Sequence, residues 1–475
     1  MTKHVVIVGG GYTGTCAAIQ LSRHAQQPFE ISVVEQRAVV GRGLAYSAME
    51  PDHRLNAPDM VHFVTPEDQE ALRHWFEEQG GAAYDDQADP GDDVRFIRRH
   101  DFGKFLGEQF AAHQVSNPSG STIVHVQDTA RDIEKTDSGF RLILNQNGAL
   151  DADLIIVATS NERPAIPAAL QPVAKHPAFL TDPWNGTAMD RIPNSARLLI
   201  VGTALTAADV IVSRLRRGQS GRITALSRRG LKSTRRAITP GTYSNPFWER
   251  ITSETSIFSE KHGVQTRLID LLQSIRADIR EAEANGLPWQ GPFDDLRDSV
   301  WQIWPALPLV EKRRFMRHLR IWYDVHRFRL PPQLERPLDD AMASGQLRYV
   351  TAHLDSARPD GKSISVTFRQ GQSTKTRIFD ATINCTGPAP RPDRTNNPFL
   401  RALVTRGLAR PSPVGIGFDV DDSCTLVNDR GKCDPWLRAF GPLTLGQFGD
   451  PQGTPFILRH ICRTMPQIVG LLASR

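Results

Sequence analysis

The sequence predicts an α/β fold in which two Rossmann-like units are nested and a helical insertion interrupts the second. Three observations predict it. An apolar strand, His4-Val5-Val6-Ile7-Val8, runs straight into Gly9-Gly10-Gly11-Tyr12-Thr13-Gly14 and a helix. A second strand, Arg197-Leu198-Leu199-Ile200-Val201, leads into Gly202-Thr203-Ala204-Leu205-Thr206-Ala207 and a helix through Arg216. From Lys261 to Arg329 apolar residues then recur at helical spacing, until Pro331-Pro332 ends the pattern.

Each part of the first motif has a physical job. Gly9 permits the tight turn, and Gly11 lets backbone approach a pyrophosphate. Gly14 lets the helix pack close to the sheet, with its N-terminal amides toward the phosphates. The next strand, Ile31-Ser32-Val33-Val34, ends in Glu35, about 20 residues past Gly14 and placed to accept hydrogen bonds from a ribose diol. Strand, helix and acid in register separate this motif from a glycine-rich turn in an ordinary α/β protein. An adenine-bearing dinucleotide is the expected ligand.

The second motif departs from the pattern at Ala204, where a methyl group replaces the middle glycine. Either a nicotinamide nucleotide binds with a displaced phosphate, or the site has lost its ligand and survives as fold. The following strand, Arg222–Leu226, ends in Ser227-Arg228-Arg229. An acid there would suit NAD, whereas a hydroxyl and two guanidinium forks suit the extra phosphate of NADP; the alternative is a solvated arginine surface. Two facing nucleotides usually mean a flavin that stays and a nicotinamide that visits to reduce it. FAD is therefore expected at the first motif and NAD(P)H at the second.

At 475 residues the chain exceeds what one hydrophobic core usually supports. Three segments are expected: 1–190, the first part of the FAD-binding unit; 191–345, the NAD(P)-binding unit, with the helical insertion at about 245–332; and 346–475, the return to the FAD-binding unit. The return is placed there because Ile378–Gly387 repeats the character of the earlier strand Asp153–Thr159, while the proline-spaced run Pro164–Pro193 reads as a linker.

Hydrophobic content of 40% and charged content of 23% suit a soluble globular protein. A net charge of +5 and pI near 9.0, with arginine pairs such as Arg235-Arg236 and Arg313-Arg314, point to anionic small molecules as partners. Nucleic acid is not expected, since neither aromatic-and-basic interleaving nor zinc spacing is present. Cys16, Cys385, Cys424, Cys433 and Cys462 include no C-x-x-C pair, which argues against a metal knuckle or dithiol centre. A core strand at the start leaves no room for a cleavable signal, and no apolar run is long enough to span a bilayer. The expected setting is the cytoplasm, away from membranes, with homo-oligomerisation left open.

Within the helical stretch, Trp322-Tyr323-Asp324-Val325-His326-Arg327-Phe328-Arg329 puts Trp322 and His326 one turn apart on a shared face, with Asp324 and Arg327 on other sides. Two readings stand. One is a pocket with an aromatic floor, an ionisable His326 and an anion-binding Arg327. The other is a core-facing aromatic helix whose polar residues are satisfied by neighbours. No nucleophile elbow, zinc-protease motif or Walker loop is present. Flavin chemistry needs none, because the cofactor does the hard step and the protein positions, shields and polarises.

VVIVGGGYTGTCAAIQL, GRGLAYS with HRLNAPDM, LIIVATSN, LLIVGTALTAADV with ITALSRRG, RRFMRHLRIWYDVHRFRLPP, INCTGP and GLARPSPVGIGFDVD extend to about Asp421. Together they resemble the FAD/NAD(P)-binding proteins that include the HpyO-type urate hydroxylase and the CreE-type aspartate N-monooxygenase. The resemblance implies a single-component flavoprotein monooxygenase: NAD(P)H reduces FAD, dioxygen adds to the reduced flavin, and the hydroperoxide passes one oxygen to a small anionic substrate. It implies that Gly9, Gly11, Gly14 and Glu35 hold FAD, and that Arg42, Gly43, Tyr46 and Asn56 wrap the flavin. Gly202, Thr206, Arg228 and Arg229 fall at the nicotinamide nucleotide, and Gly387 joins the cofactor set. Asn56, Asp324, His326 and Arg327 are the expected catalytic residues.

Three positions depart from the family: Ala204, Ser160 where a glycine often closes the Ala-Thr-Gly strand end, and Gly446–Thr454, expected to lack an acid-and-aromatic pattern beside the flavin. Urate, hydroxylated to 5-hydroxyisourate, is the leading substrate. The alternatives are an aspartate-type amino-acid or amine N-hydroxylase, a non-oxygenating NAD(P)H-dependent reductase, and a regulatory flavoprotein.

Overall fold

Valine and isoleucine fill the strand His4–Val8 because it is buried on both faces, as parallel strands covered by helices are. The computed structural model describes residues 2–91, 94–159, 164–237, 247–387 and 391–474; Ser160 lies outside them. His4–Val8 sits inside a six-stranded sheet in the order Thr425–Val427, Cys433–Ala439, Leu154–Val157, His4–Val8, Glu30–Val34, Thr122–Val126. All its pairings are parallel except the outermost one, Thr425–Val427 with Cys433–Ala439.

A second, wholly parallel sheet has the order Leu347–Thr351, Ile223–Ser227, Leu198–Val201, Ala381–Asn384, Phe179–Leu180. The two sheets are built alike. In each, a three-stranded antiparallel meander delivers the chain to the strand beside the first one. Ala130–Lys135, Phe140–Leu144 and Ala149–Ala152 precede Leu154–Val157, and His353–Asp360, Ser363–Gln370 and Ser373–Phe379 precede Ala381–Asn384.

This construction corrects two expected boundaries. The chain does not return to the first unit at 346: Ala381–Asn384 pairs with Leu198–Val201, so the second sheet runs on through Asn384. Nor does it begin at 191, because Phe179–Leu180 already forms its edge. The likeness between Ile378–Gly387 and Asp153–Thr159 is real, but it reflects the same task done once in each unit.

Among the described residues six helices make the insertion: Phe247–Thr252, Ile257–His262, Leu268–Ala284, Gln290–Ala306, Leu309–His318 and Arg320–Arg327. They enclose a core of their own around Phe258, Leu271, Ile303, Trp304 and Leu307. Elsewhere the two nucleotide units are joined by charge. Arg216 and Arg217 bind Glu50, and Arg99 reaches the buried Asp209 at 2.9 Å. Among the described residues no helix is long and apolar enough to cross a membrane, and no cluster of metal-ligating side chains occurs. The five cysteines are unbridged.

Candidate cofactor clefts and active site

The first cleft, about 1020 Å³, opens at the carboxyl ends of the six-stranded sheet and is lined by Gly9, Gly11, Glu35, Gly43 and Ser47. Gly9 has φ +109°, and a Cβ there would lie 2.7 Å from the Ala158 carbonyl oxygen. Gly14 is tighter: its Cβ would sit 1.8 Å from the Gly9 carbonyl oxygen, so the helix Tyr12–His24 rests on the turn itself. Gly11 and Gly43 approach backbone to backbone across the cleft. The helix has neither a side-chain cap nor an acid in its first turn, which leaves its N-terminal amides for an anion.

Glu35 stands at the end of Glu30–Val34 and is 7% exposed. Its Oε2 accepts from the Gly10 amide at 3.1 Å, and its Oε1 from the Arg37 amide at 3.0 Å and guanidinium at 3.1 Å. A carboxylate has about four acceptor positions, so capacity for a ribose diol remains. Buried polar atoms without partners among the described residues include Arg42 Nε, Thr159 Oγ1 and Thr15 Oγ1. Such orphans are costly unless a ligand satisfies them. Tyr46 packs edge-on against Phe102 at 4.8 Å, and Asn56 offers its carbonyl to Arg236.

The second cleft repeats the first turn. Gly202 has φ +119°, and its Cβ would lie 2.2 Å from the Cys385 carbonyl oxygen, as Gly9 stands to Ala158. Ala204 caps the helix Leu205–Arg216 with φ −88° and ψ −164°, nearly the −79° and −167° of Gly11. That is extended backbone open to any residue, so the methyl introduces no strain. Thr206 lies half-buried in the first turn, and Gly387 sits just past Ala381–Asn384, beside this cleft.

Arg228 and Arg229 are both exposed at the carboxyl end of Ile223–Ser227, and neither has an ion-pair partner among the described residues. The Ser227 hydroxyl is buried and unpartnered. Two free forks beside an unsatisfied hydroxyl fit a phosphate monoester. Replacing both arginines with alanine is expected to raise the KM for NADPH about tenfold or more, at one or two charge-assisted hydrogen bonds lost, with little change for NADH. Equal effects on both nucleotides in steady-state kinetics would contradict this assignment.

The third region lies where the insertion meets the C-terminal segment. Arg327 is not open to an anion. Its Nε donates to Asp450 Oδ2 at 2.6 Å, and Tyr323 donates to the same oxygen at 3.0 Å. Both partners of the ion pair are buried. Asp324 pairs with Arg320 at 3.0 Å, and burial raises its carboxyl above the usual range despite that cation. His326 Nδ1 bonds the Trp322 carbonyl at 2.7 Å, and its ring meets Trp289 edge-on at 5.0 Å.

The structure therefore brings Trp322, Asp324 and His326 to one cavity and turns Arg327 away from the role expected of it. Asp324, which helical spacing puts on another side from Trp322 and His326, also reaches this cavity, because the short helix Arg320–Arg327 packs on both Gln290–Ala306 and Leu309–His318. Gly446–Thr454, expected to lack an acid and an aromatic in place, supplies Asp450 and also Phe448, whose ring meets that of His460 at a tilt with centroids 4.2 Å apart. Asp450 carried no signal in the sequence beyond its turn-like setting between Gly449 and Pro451.

Residues 6–162 match the family model described as FAD-NAD(P)-binding. No curated protein matches the chain in sequence. Among solved structures, the ornithine N-hydroxylase of Kutzneria sp. 744, solved with reduced FAD, NADP+ and L-ornithine, is 15% identical with a TM-score of 0.65, covering 100% of both chains. The L-lysine 6-monooxygenase of Pseudomonas syringae is 15% identical with a TM-score of 0.65, covering 99% of both. The cadaverine monooxygenase of Erwinia amylovora, bound to FAD, is 11% identical with a TM-score of 0.65, covering 100% of this chain and 95% of that one. At these identities the likeness is one of fold.

Proposed function

We propose that this chain is an FAD-dependent, NADPH-consuming monooxygenase that N-hydroxylates an amine or amino acid. The observation that carries the reading is the pair of nucleotide clefts, each at the carboxyl edge of its own parallel sheet, in a fold shared end to end with amine N-hydroxylases. The first cleft fits FAD. Gly11 and Gly43 leave room for the pyrophosphate, the amides of Tyr12–His24 face it, Glu35 is free to take the ribose, and the unpartnered Arg42 Nε is a donor for the cofactor, with Tyr46 and Asn56 proposed to complete the flavin's surroundings. The second fits NADPH through Gly202, Thr206, Arg228 and Arg229.

FAD held by Gly9, Gly11, Gly14 and Glu35 would supply the redox chemistry, accepting two electrons from NADPH and activating dioxygen. The overall balance is R–NH2 + O2 + NADPH + H+ giving R–NHOH + H2O + NADP+. An amine must lose its ammonium proton before its lone pair can react. Asp324, with its carboxyl raised by burial, is the group proposed to take that proton, with His326 and Glu283 on the same insertion cavity. Arg327 positions rather than catalyses: it ties Arg320–Arg327 to the segment ahead of the long C-terminal helix Thr454–Ala473.

The urate reading has less support. The solved structures that share the fold end to end are named for ornithine, lysine and cadaverine, and none of those three for a purine. Turnover under isotopically labelled dioxygen tests the reading: one labelled oxygen is expected in an N-hydroxy product. Label recovered only in hydrogen peroxide would leave an oxidase, and turnover that consumes no labelled dioxygen would leave a reductase.

A further inference from the structure

The insertion holds a cavity of about 380 Å³ that differs sharply from both nucleotide clefts. Its walls are aliphatic on one side, with Leu271, Ile275 and Ile279 of Leu268–Ala284, and aromatic on the other, with Trp289, Phe293 and Trp304. The rings meet edge-on or tilted, for example Trp304 with Phe315 at 5.4 Å and Phe293 with Tyr323 at 5.5 Å. Its polar side chains, the Arg320–Asp324 pair, His326, Arg276, Glu283 and Gln452, make up only a small part of the lining surface. A compact, highly hydrated molecule placed here would lose its water and find few partners in exchange. A hydrocarbon or ring system would lose nothing.

One stretch of chain links the cavity to the FAD cleft. One wall is the segment carrying Leu445 and Gly449, clamped so closely that a Cβ on Gly449 would lie 2.7 Å from Trp304 and 2.8 Å from Val300. Trp304 Nε1 also donates to the Gly446 carbonyl at 3.0 Å. Just upstream, a Cβ on Gly441 would lie 2.7 Å from the Thr13 hydroxyl, at the N-terminus of the FAD-cleft helix. Just downstream, Thr454 donates to the Val61 carbonyl, close to the loop that holds Asn56. A single stretch of chain thus runs from the FAD cleft to the cavity wall.

We infer that the insertion cavity binds the apolar body of the substrate, so that the substrate class is amines bearing a sizeable hydrocarbon or aromatic group rather than bare polar diamines or diamino acids. The inference rests on the N-hydroxylase reading and narrows it. The cavity explains why aromatic residues are concentrated in the insertion, and it assigns specificity to Leu268–Ala284 and Gln290–Ala306.

A series of n-alkylamines from butylamine to decylamine, titrated calorimetrically into the FAD-loaded protein, tests it. Each added methylene is expected to tighten binding about fourfold, as transfer of one CH2 from water predicts, until the cavity is full. Ile279→Phe should weaken the longest amine tenfold or more. Flavin content should stay as in the parent, and Ile279→Leu should bind the amine series as the parent does. Affinities that do not change with chain length, or a long-chain affinity untouched by Ile279→Phe, would overturn the inference. Hydroxylamine formed with no chain-length preference would overturn the cavity assignment alone. Chain-length-dependent binding without any hydroxylamine would uphold the cavity and overturn the N-hydroxylase reading.

Discussion

Gly11→Val is expected to give a folded, colourless protein. Gly11 has ordinary extended dihedrals, and its added Cβ would meet only Gly43 Cα, at 3.4 Å, an ordinary contact. The protein loses nothing it needs to fold. The cradle, however, loses the space through which backbone approaches a pyrophosphate, and two further methyl groups fill it. FAD affinity should fall by about 100-fold or more, a loss of about 3 kcal/mol, read from the flavin absorbance retained after purification and from titration of the apoprotein. Gly14→Val makes the contrast. Its Cβ would collide with the Gly9 carbonyl oxygen at 1.8 Å, so it should fail to accumulate as folded protein. A Gly11→Val variant that purified with full flavin would remove the first cleft from the account.

Asp450→Ala should destabilise the protein by about 3–5 kcal/mol, the cost of leaving a buried charge without its partner. Arg327 is held between Asp450 and the ring of Phe456, with its guanidinium carbon 5.7 Å from that ring centroid. Removing the carboxylate strands both the guanidinium and the Tyr323 hydroxyl. Asp450→Leu combined with Arg327→Met should recover most of the loss, because hydrophobic replacement of a buried pair is often close to neutral. Urea unfolding of the two single variants and the double variant measures this directly. Additive losses in the double variant would show that the pair does not hold the insertion to the C-terminal segment.

Much of the fold was legible because glycine spacing and β-branched runs report local geometry. Gly9, Gly14 and Gly202 each occupy a place where a Cβ would strike backbone, and Glu35 falls at the strand end where its spacing put it. Ala381–Asn384 was misplaced for a physical reason. Leu154–Val157 and Ala381–Asn384 are chemically alike because both lie buried beside the first strand of a parallel sheet. Sequence character identifies that role but not which sheet the strand joins.

The site was less legible than the clefts. Arg327 read as an anion binder because its helix is rich in aromatics, whereas its true partner, Asp450, lies 123 residues further on. In a sequence, Gly449-Asp450-Pro451 carries only the composition of a turn. The insertion cavity was invisible for a related reason: helical periodicity predicts that apolar faces meet, not that they leave a void between them. Arg228 and Arg229, by contrast, lie exposed at a strand end as their local sequence predicts, and their proposed hold on NADPH rests on that placement.

The central claim is coupled N-hydroxylation, and one measurement addresses it most directly. FAD-loaded protein is followed in air with NADPH, with and without a panel of amines that includes long-chain and aromatic members, measuring NADPH loss and hydroxylamine together. The account predicts slow NADPH oxidation alone, strong stimulation by an amine that fits the cavity, and about one hydroxylamine per NADPH consumed. NADPH oxidation that no amine stimulates, proceeding equally without dioxygen when an artificial acceptor is present, would contradict it.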